Sequence, residues 1–420
     1  MPDEIDILHD LAPGLLRWLV FELADTSTAA ELMHGFGTRL NDAGLELLRM
    51  NLQLRPLSPQ VSVMMFVWRP IEREMEFGNP ERVVGRERHV FDGGIVQTTA
   101  LAHGGGLRAP EFIRSPWYRL MVEGEPVLRR PIAPDQTDFD FPILVDAKAQ
   151  GATEYLAIRA LFYGSDVSGF SFLTRRPGGF TDEQVAGLRV AIAALSKAIA
   201  PRAWEYATRT LLGAYLGKGT SERVLAGKVE RGDVEEIDAA IWFSDLRGFT
   251  PMSAGTPSRE LIGWLNEYFS AVAGPISKHG GEILKFIGDA ILAVWPVTPE
   301  RSRESACTAA LSAAHGANLA LDALNEARKG RGLPPMHHGI GLHVGSAQYG
   351  NIGAEGRLDF TVIGPAVNTA SRLEGVTAKL GLRVVASADF AHSVGDAVEC
   401  IGEVELKGIE GPQRIFALRA

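Results

Sequence analysis

The sequence predicts an α+β protein in which a C-terminal βαββαβ domain with a ferredoxin-like sheet follows an α/β domain and a helical linker. Between residues 236 and 420, apolar strand patterns alternate with amphipathic helix patterns in the order that gives such a sheet. Residues 181–235 have mainly helical periodicity, whereas residues 1–180 combine a helix with several strands. A length of 420 residues is enough for two or three domains, each with its own core.

The first domain, residues 1–180, begins with a short apolar helix pattern from Leu15 to Phe21. This pattern is too short for a membrane anchor, and we expect it to pack on a neighbouring domain or a second protomer. Polar residues at 25–28 then predict the start of a helix that reaches about Leu48. Strand patterns follow at 61–69, 88–91, 95–101, 127–132, 154–163 and 167–175, and Gly164-Ser165-Asp166 predicts a hairpin turn between the last two.

This order of helix, mixed strands, hairpin and closing helix is similar to that of GAF-type sensor domains. PAS-type domains stay an alternative, because no specific motif separates the two. Either type implies a small α/β cup that binds a small-molecule ligand or simply dimerises. The first 200 residues contain no legible haem, flavin or cyclic-nucleotide motif, so they do not identify the ligand.

The linker, residues 181–235, begins with a capping pattern at Thr181 and Gln184. Its apolar residues are spaced as an a/d seam of under three heptads. They are Val185, Leu188, Ile192, Leu195 and Ile199. Such a helix either covers the sheet of its own domain or pairs with a second copy and transmits the state of the sensor. Pro201 is predicted in the first turn of a continuing helix, and Lys218-Gly219-Thr220 is predicted to break it.

The third region, residues 236–420, supplies the βαββαβ pattern, with the helices of that unit expected on one face of the sheet. A turn is predicted through residues 350–353, which read Gly-Asn-Ile-Gly. Helices are predicted at 257–278, 302–329 and 365–380. Strands are predicted at 238–244, 282–287, 290–295, 338–345, 383–386, 400–406 and 413–418.

Composition argues against several classes of partner. A net charge of −9 and a pI near 5.7 do not favour nucleic acid or an anionic membrane surface. No stretch is apolar enough to span a membrane and the first residues are acidic, so we expect a cytoplasmic protein. The cysteines have no metal-binding spacing and predict buried or incidental thiols in a reducing compartment. Three histidines on one apolar strand pattern are expected to be structural: His337, His338 and His343.

Two carboxylates stand at the ends of apolar strand patterns. Asp245 follows the run IWFS and precedes a glycine turn, and Asp289 lies in a Gly-Asp hairpin between two apolar runs. A carboxylate in such a place is costly unless a cation or a basic group balances it. Two of them suit a pair of hard divalent cations on a polyphosphate. The backbone N–H groups of the turn after Asp245 are suited to phosphate oxygens.

Three motifs in order, FSDLRGFT, KFIGDAILAVW and TVIGPAVNTASRLE, resemble the catalytic domain of class III nucleotidyl cyclases. The resemblance covers residues 236–420 and implies the same fold, ATP as substrate and two Mg²⁺ or Mn²⁺ per active site. It implies a metal site at Asp245, Asp289 and Leu246. For the β- and γ-phosphates it implies the backbone of Gly248, Phe249 and Thr250.

The third motif contributes a helical face that carries Asn368 and Arg372, four residues apart. The resemblance implies that Asn368 orients the ribose and that Arg372 stabilises negative charge at the pentavalent phosphorus, which suits a guanidinium. A surface ion pair of Arg372 with Glu374 or Asp359 is the alternative. Lys407 matches a lysine that contacts the triphosphate, and Arg357 is a further candidate for that role.

Base recognition is implied at Lys285 and Thr361. The adenine-binding residues of the family are a lysine and an aspartate, whereas its guanylyl enzymes use a glutamate and a cysteine. Lys285 can donate to adenine N1, and the Thr361 hydroxyl can accept from the exocyclic amine. Threonine in place of aspartate resembles a bacterial subclass described as responsive to bicarbonate or CO₂. ATP is therefore favoured over GTP, with looser selectivity than a carboxylate would give.

The family places the metal aspartates on one protomer and the other four site residues on its partner: Lys285, Thr361, Asn368 and Arg372. A homodimer with two equivalent sites and an inactive monomer follows from that arrangement. The sequence therefore predicts an adenylate cyclase that makes cyclic AMP and pyrophosphate under control of its N-terminal domain. The alternatives are a guanylate or dual-specificity cyclase, and a catalytically weak nucleotide-binding regulator.

Overall fold

The structure, a computed structural model, describes residues 2–22, 28–70, 82–104, 108–162 and 165–419. The chain divides into two compact units, Met1–Leu211 and Leu212–Ala420. Among these described residues, each unit has one sheet, of seven strands in the first and eight in the second. Within the described ranges, no helix combines the length and the apolar composition needed to cross a membrane.

The N-terminal unit is built on an antiparallel sheet. Its strands are β1 (Leu47–Leu54), β2 (Val61–Arg69), β3 (Val83–Phe91), β4 (Gly94–Ala102), β5 (Val127–Pro131), β6 (Glu154–Phe162) and β7 (Ser165–Thr174). They lie in the order β3-β4-β2-β1-β7-β6-β5, and each neighbouring pair is antiparallel. The predicted hairpin of β6 and β7 is present; Gly164 of its predicted turn lies outside the described residues.

Helices cover both faces of this sheet. They are α1 (Pro2–Leu11), α2 (Leu15–Arg17), a π-helical turn (Trp18–Glu22), α3 (Ala29–Asp42), α4 (Pro110–Ile113), α5 (Pro116–Met121), α6 (Ile143–Ala149) and α7 (Asp182–Leu216). One face packs against α1, α2, α3 and α7, and the other against α5 and α6. Neighbouring residues of β6 alternate between the two cores, as Leu156 and Ala157 do.

The prediction of a helix through about Leu48 is wrong. Helix α3 ends at Asp42, and β1 begins at Leu47 after Gly44 and Glu46 turn the chain with positive φ angles of 81° and 47°. Strand β1 is central in the sheet and almost wholly buried, and its residues 48–54 alternate between apolar and polar, a strand pattern that the helix prediction overlooked. The helix does start at a cap: Thr28 forms a capping box with Glu31, and residues 25–27 lie outside the described ranges.

Helix α7 runs without interruption from Asp182 to Leu216, with Pro201 inside it rather than at the start of a second helix. Its a/d seam is buried in the core of the N-terminal unit. Of the two interpretations of the seam, the structure therefore supports a helix that covers the sheet of its own unit.

The C-terminal unit contains an eight-stranded sheet. Its strands are β8 (Val234–Leu246), β9 (Glu282–Ile287), β10 (Ala290–Pro296), β11 (His338–Ala354), β12 (Arg357–Ile363), β13 (Val384–Ser387), β14 (Val398–Glu405) and β15 (Pro412–Leu418). Its helices are α8 (Lys218–Leu225), α9 (Phe249–Gly255), α10 (Ser258–Lys278), α11 (Arg303–Gly330), α12 (Pro365–Leu380) and α13 (Ala388–Val394). The strands lie in the order β14-β15-β13-β11-β8-β10-β9, and β12 pairs with β11.

The central strands β11-β8-β10-β9, with α10 and α11, follow the predicted ferredoxin-like βαββαβ order. Helices α10 and α11 pack on one face, where Trp242 and Trp295 are fully buried. Helix α12 packs on the opposite face through Ala366 and Ala370. The expectation of helices on one face therefore holds for the βαββαβ unit but not for α12.

The predicted turn through residues 350–353 is wrong, because β11 continues to Ala354 and returns as β12 after Glu355 and Gly356. Close backbone contacts explain the glycines that suggested a turn. A Cβ atom at Gly350 would lie 2.0 Å from the Asp233 carbonyl oxygen, and one at Gly353 would lie 2.3 Å from that of Arg357. These positions need glycine for space in a tight hairpin.

His338 and His343 make structural contacts, whereas His337 is exposed and lies just before β11. His338 Nε2 lies 2.9 Å from Asn318 Oδ1, and His343 Nδ1 lies 2.8 Å from Ser387 Oγ. Burial lowers the pKa of His338 to about 3, so this ring is neutral at physiological pH. Cys307 is buried in α11, whereas Cys400 is exposed.

A buried cation joins α10 to α11. Arg328 is fully buried, and its Nη1 donates to Glu267 Oε2 at 2.6 Å while its Nε donates to the Pro334 carbonyl oxygen at 2.9 Å. Arg331 binds the other oxygen of the same carboxylate at 2.7 Å from a much more exposed position. The guanidinium of Arg328 also lies over the Trp264 ring, 4.9 Å from its centroid.

Replacing Glu267 should therefore destabilise the C-terminal unit. We expect Glu267→Ala to lower its free energy of unfolding by about 3 kcal/mol, because the Arg328 charge would stay buried without its carboxylate. The control Arg331→Ala removes only an exposed partner and should cost about 1 kcal/mol or less. Denaturant unfolding measures both, and equal losses would contradict a special role for the buried pair.

Candidate active site

The two predicted metal carboxylates lie at the same end of neighbouring strands. Strands β8 and β10 are antiparallel with Ser244 opposite Ile291, so Asp245 at the end of β8 comes next to the start of β10. The two-residue turn that contains Asp289 joins β9 to β10, and Gly288 in that turn has a φ of 65° that favours glycine. The carboxyl groups of Asp245 and Asp289 lie close enough to interact directly.

The environment of this pair raises the pKa of Asp289 to about 6. Burial is the largest cause, followed by the charge of Asp245 and the hydrogen bond between the two carboxyl groups. The backbone N–H of Leu246 donates to Asp245 Oδ1 at 3.1 Å. Two ionised carboxylates repel each other in a partly buried place, and a bound divalent cation would compensate their charge.

The donor set fits Mg²⁺ or Mn²⁺ bound together with a polyphosphate. Among the described residues, no group of three or more His, Cys, Asp or Glu side chains is arranged to hold a metal ion. The pair of carboxylates would therefore supply only part of a coordination shell. Mg²⁺ usually binds through one or two carboxylates, with substrate phosphates and water completing its octahedron.

A third acid, Glu374, borders this pair and was not predicted to do so. Burial raises the pKa of Glu374 to about 7, and the charges of Asp245 and Asp289 add to the rise while Arg247 opposes it. A Cβ atom at Gly339, which pairs with Asp245 across β8 and β11, would lie 2.5 Å from Glu374 Oε1. Glu374 therefore faces the acid pair of its own chain.

Gly248, Phe249 and Thr250 form the start of α9, a helix that the sequence did not predict. Gly248 is its N-cap with a φ of 73°, and its carbonyl oxygen accepts from the Met252 N–H at 3.1 Å. The first N–H groups of a helix have no acceptor within the helix. Gly248 and Thr250 are also exposed, so these N–H groups can be reached by an anion.

The residues implied in base recognition form a second group. Lys285 on β9 makes an ion pair with the carboxylate of Asp359 on β12. Thr361 lies two residues after Asp359 and therefore on the same face of β12, where it is buried. Asp359 thus pairs with Lys285. The alternative in which Arg372 forms an ion pair with Asp359 is therefore wrong. The sequence could have placed Asp359 and Thr361 on one face only if residues 357–363 had been predicted as a strand.

Asn368 and Arg372 lie on the exposed face of α12. The opposite face of the helix packs so closely on β11 that a Cβ atom at Gly341 would lie 2.1 Å from the Ala370 carbonyl oxygen. An ion pair between Arg372 and Glu374 is not formed, since residues two apart on a helix point in different directions and Glu374 faces inward. Lys407 is exposed in the turn after β14, and Arg357 is exposed at the start of β12.

The predicted site residues thus fall into separate groups within one chain. Across the described residues, no hydrogen bond or ion pair connects the Asp245–Asp289 pair with Lys285, Asn368 or Arg372. The acid pair is inward, whereas Asn368 and Arg372 face solvent.

Residues 233–420 match the family model described as the adenylate and guanylate cyclase catalytic domain. This segment is therefore similar to cyclase catalytic domains. The chain is 36% identical over 170 residues to adenylate cyclase 1 of Rhizobium meliloti and 37% identical over 161 residues to an adenylate cyclase of Anabaena cylindrica. These alignments cover 40% and 37% of this chain but 25% and 31% of the relatives, so the chain spans about a quarter to a third of their length.

Two solved cyclases resemble part of the chain. The adenylyl cyclase CyaB from P. aeruginosa is 27% identical with a TM-score of 0.41, and the match covers 44% of this chain and 96% of that one. The guanylyl cyclase Cya2 is 33% identical with a TM-score of 0.39, covering 44% of this chain and 92% of that one.

Proposed function

We propose that the chain is an adenylate cyclase that converts ATP to 3′,5′-cyclic AMP and pyrophosphate. The Asp245–Asp289 pair is the observation that supports this proposal most. Its charges are close and partly buried, and it supplies too few ligands to complete a metal shell without a substrate. Matches to named adenylate cyclases over the cyclase domain favour the same reaction class.

The reaction is an intramolecular displacement. The ribose 3′ hydroxyl gives up its proton to water and its oxygen forms a bond to the α-phosphorus. The bond from that phosphorus to the bridging oxygen of the β-phosphate breaks, and pyrophosphate leaves. Two divalent cations would lower the pKa of the 3′ hydroxyl and neutralise the triphosphate. Asp245 and Asp289, with the backbone at Leu246, are the residues of this chain that would hold them.

The remaining residues bind and orient the nucleotide. The N–H groups at the start of α9 are assigned to the β- and γ-phosphates, and Lys407 and Arg357 to the triphosphate. Asn368 orients the ribose, and Arg372 stabilises the charge that develops at the α-phosphorus.

A homodimer with shared sites explains why Arg372 faces solvent. Helix α12 presents Glu374 to the acid pair of its own chain and Arg372 to the outside. A second protomer related by a two-fold axis would bring its own Arg372 and Asn368 to that acid pair, and the symmetry would create a second equivalent site.

Adenine recognition is assigned to Lys285 and Thr361, with Asp359 as a positioning residue. Asp359 holds the Lys285 ammonium in place, so the lysine can present a proton to adenine N1. Thr361 supplies a neutral acceptor beside it. The absence of a charged acceptor at Thr361 leaves some tolerance for GTP, so a dual-specificity cyclase is the nearest alternative.

Removing the charge of Asp359 should weaken the preference for ATP. We expect Asp359→Asn to raise the KM for ATP by about 5-fold, equivalent to about 1 kcal/mol, because Lys285 loses its ionic partner. The ratio of kcat/KM for ATP to that for GTP should fall, with kcat for ATP nearly unchanged. Glu355→Gln, in the exposed turn of the same hairpin, is the matched control. An unchanged KM and an unchanged ratio would remove Asp359 from base recognition.

The direct test is a turnover assay with ATP and with GTP in Mg²⁺ and in Mn²⁺, in which the cyclic products are separated and identified. Cyclic AMP as the main product supports the proposal. Cyclic GMP as the main product would identify a guanylate cyclase. Nucleotide binding without any cyclic product would identify a weak nucleotide-binding regulator.

Control by the N-terminal unit is supported by contacts of α8, which directly precedes the cyclase domain. Thr220 of α8 is fully buried, and its N–H and hydroxyl donate to Glu282 Oε1 at 2.7 and 3.1 Å. The Tyr349 hydroxyl donates to the same oxygen at 3.1 Å. Glu282 begins β9, the strand that carries Lys285, so a displacement of α8 would act on the base-recognition strand.

Bicarbonate or CO₂ is a separate candidate regulator, suggested by Thr361. Cyclase activity that stays flat across bicarbonate concentrations at fixed pH would rule it out.

A further inference from the structure

A cavity of about 800 Å³ lies in the N-terminal unit, apart from every residue assigned to the cyclase reaction. One wall is the face of the sheet formed by β2, β3 and β4, and the opposite wall is α7 between residues 199 and 209. The loop after β1 and the first residues of α3 close its sides. Cavities of about 300–1,000 Å³ are typical of sites for small molecules.

The sequence of α7 explains why this space exists. Up to Ile199 the helix buries large apolar side chains against the sheet. Beyond it, the lining residues of α7 include three alanines, Ala200, Ala203 and Ala207, beside the larger Trp204 and Tyr206. Because alanine reaches only a short distance from the helix axis, a gap opens between α7 and the sheet where large side chains would otherwise pack.

The inner part of the cavity is apolar. Met64 and Phe66 of β2 line the sheet side, Ile199 lines the helix side, and Phe162 of β6 contributes another aromatic wall. Phe66, Phe162 and Ile199 are buried. Such a lining favours a hydrocarbon or aromatic body over a polar ligand.

The outer part carries an excess of positive charge. Among the described residues of the lining, arginines outnumber acids: Arg55, Arg86, Arg202 and Arg209 stand against Glu87 and Glu205. Both acids already have partners in the lining, since Glu205 lies 3.1 Å from Arg209 and Glu87 lies 3.5 Å from His89. Arg55 is half-buried and lines the cavity together with its chain neighbours Leu54 and Pro56.

We propose that this cavity binds an amphipathic organic acid, with an apolar chain against Phe66 and Ile199 and its carboxylate at Arg55. The apolar lining accounts for the body of the ligand, and the arginines account for its single negative charge. The same arginines would repel the head group of a cationic amphiphile. Any effect of this ligand on the rate of cyclisation rests on the proposed function. Binding of the ligand in the cavity does not.

Calorimetric titration of the full chain with dodecanoate, below its micelle concentration, tests the proposal. We expect one molecule bound per chain and a rise in the melting temperature, with dodecyltrimethylammonium giving neither. Dodecyl phosphate serves as a third probe, to separate a carboxylate from a phosphate head group. Absence of dodecanoate binding, stoichiometry above one, or tighter binding of dodecyl phosphate would overturn the proposal.

Variants locate the site. Arg55→Gln should weaken dodecanoate binding about tenfold and leave the affinity for dodecanol unchanged, because only the head group loses its partner. Ala203→Leu should fill the gap and weaken both ligands. Arg114→Gln, an exposed arginine outside the cavity, is the control and should change neither affinity. Equal dodecanoate affinity in wild type and Arg55→Gln would overturn the assignment. This result can be read even if Ala203→Leu fails to fold.

Discussion

Mixing Asp245→Ala chains with Arg372→Ala chains is expected to restore cyclase activity that neither variant has alone. Each homodimer should lose about 10²- to 10³-fold in kcat, since both of its sites lack either a metal carboxylate or the guanidinium. A heterodimer combines both defects in one of its sites and leaves the other intact. If subunits exchange at random, half of the dimers are mixed, so recovery should reach about one quarter of wild-type activity.

The structure provides a matched control for this experiment. Asp245 and Asp289 belong to the same group within one chain, so a mixture of Asp245→Ala and Asp289→Ala leaves one carboxylate missing from every site. That mixture should stay inactive at the same protein concentration. Failure of the first mixture to recover, with subunit exchange verified, would rule out sites shared between protomers. Recovery in both mixtures would point to rescue by a different route.

Local patterns allowed the acid pair to be predicted from sequence. Asp245 ends the apolar run of β8 three residues before Gly248, and Asp289 follows Gly288 in the turn between β9 and β10; both glycines have the positive φ that their turns need. The limits of α12 and β9 were also predicted to the residue, because both have clear periodicity and a glycine at one or both ends. Such features depend on neighbours in the chain, which a single sequence displays.

The failures came from interactions between distant segments. The helix predicted through about Leu48 is the exception, because the alternation of residues 48–54 is a local strand pattern. Asp359 pairs with Lys285 across 74 positions, and only the pairing of β11 with β12 brings the two together. The inward direction of Glu374 likewise depends on the close contact of α12 with β11 at Gly341. No local pattern encodes these relations.

Replacing Asp289 by asparagine should stabilise the metal-free protein at alkaline pH. The pKa of Asp289 rises from its usual 3.8 to about 6 on folding, so the folded state holds this proton more tightly than the unfolded state. Stability contributed by the protonated acid is present below about pH 4 and is lost as the pH rises through 6. Above that range the ionised pair is a net cost, which asparagine removes.

We therefore expect metal-free Asp289→Asn to melt about 2–4 °C above wild type at pH 8, for a gain of about 1 kcal/mol after solvent screening. The difference should shrink as the pH falls below 6. Asp396→Asn, an exposed acid in the same domain, is the control and should leave the melting temperature nearly unchanged at both pH values.

Mn²⁺ should reverse the order of the two proteins. The cation compensates the two charges of wild type and should raise its melting temperature, whereas Asp289→Asn has lost one of the carboxylates that bind it. The pH effect and the metal effect have the same origin in this interpretation: the free energy that the folded chain loses by holding two carboxylates together is recovered when a cation binds. Equal Mn²⁺ stabilisation of both proteins would separate Asp289 from the metal site and contradict the two-metal proposal.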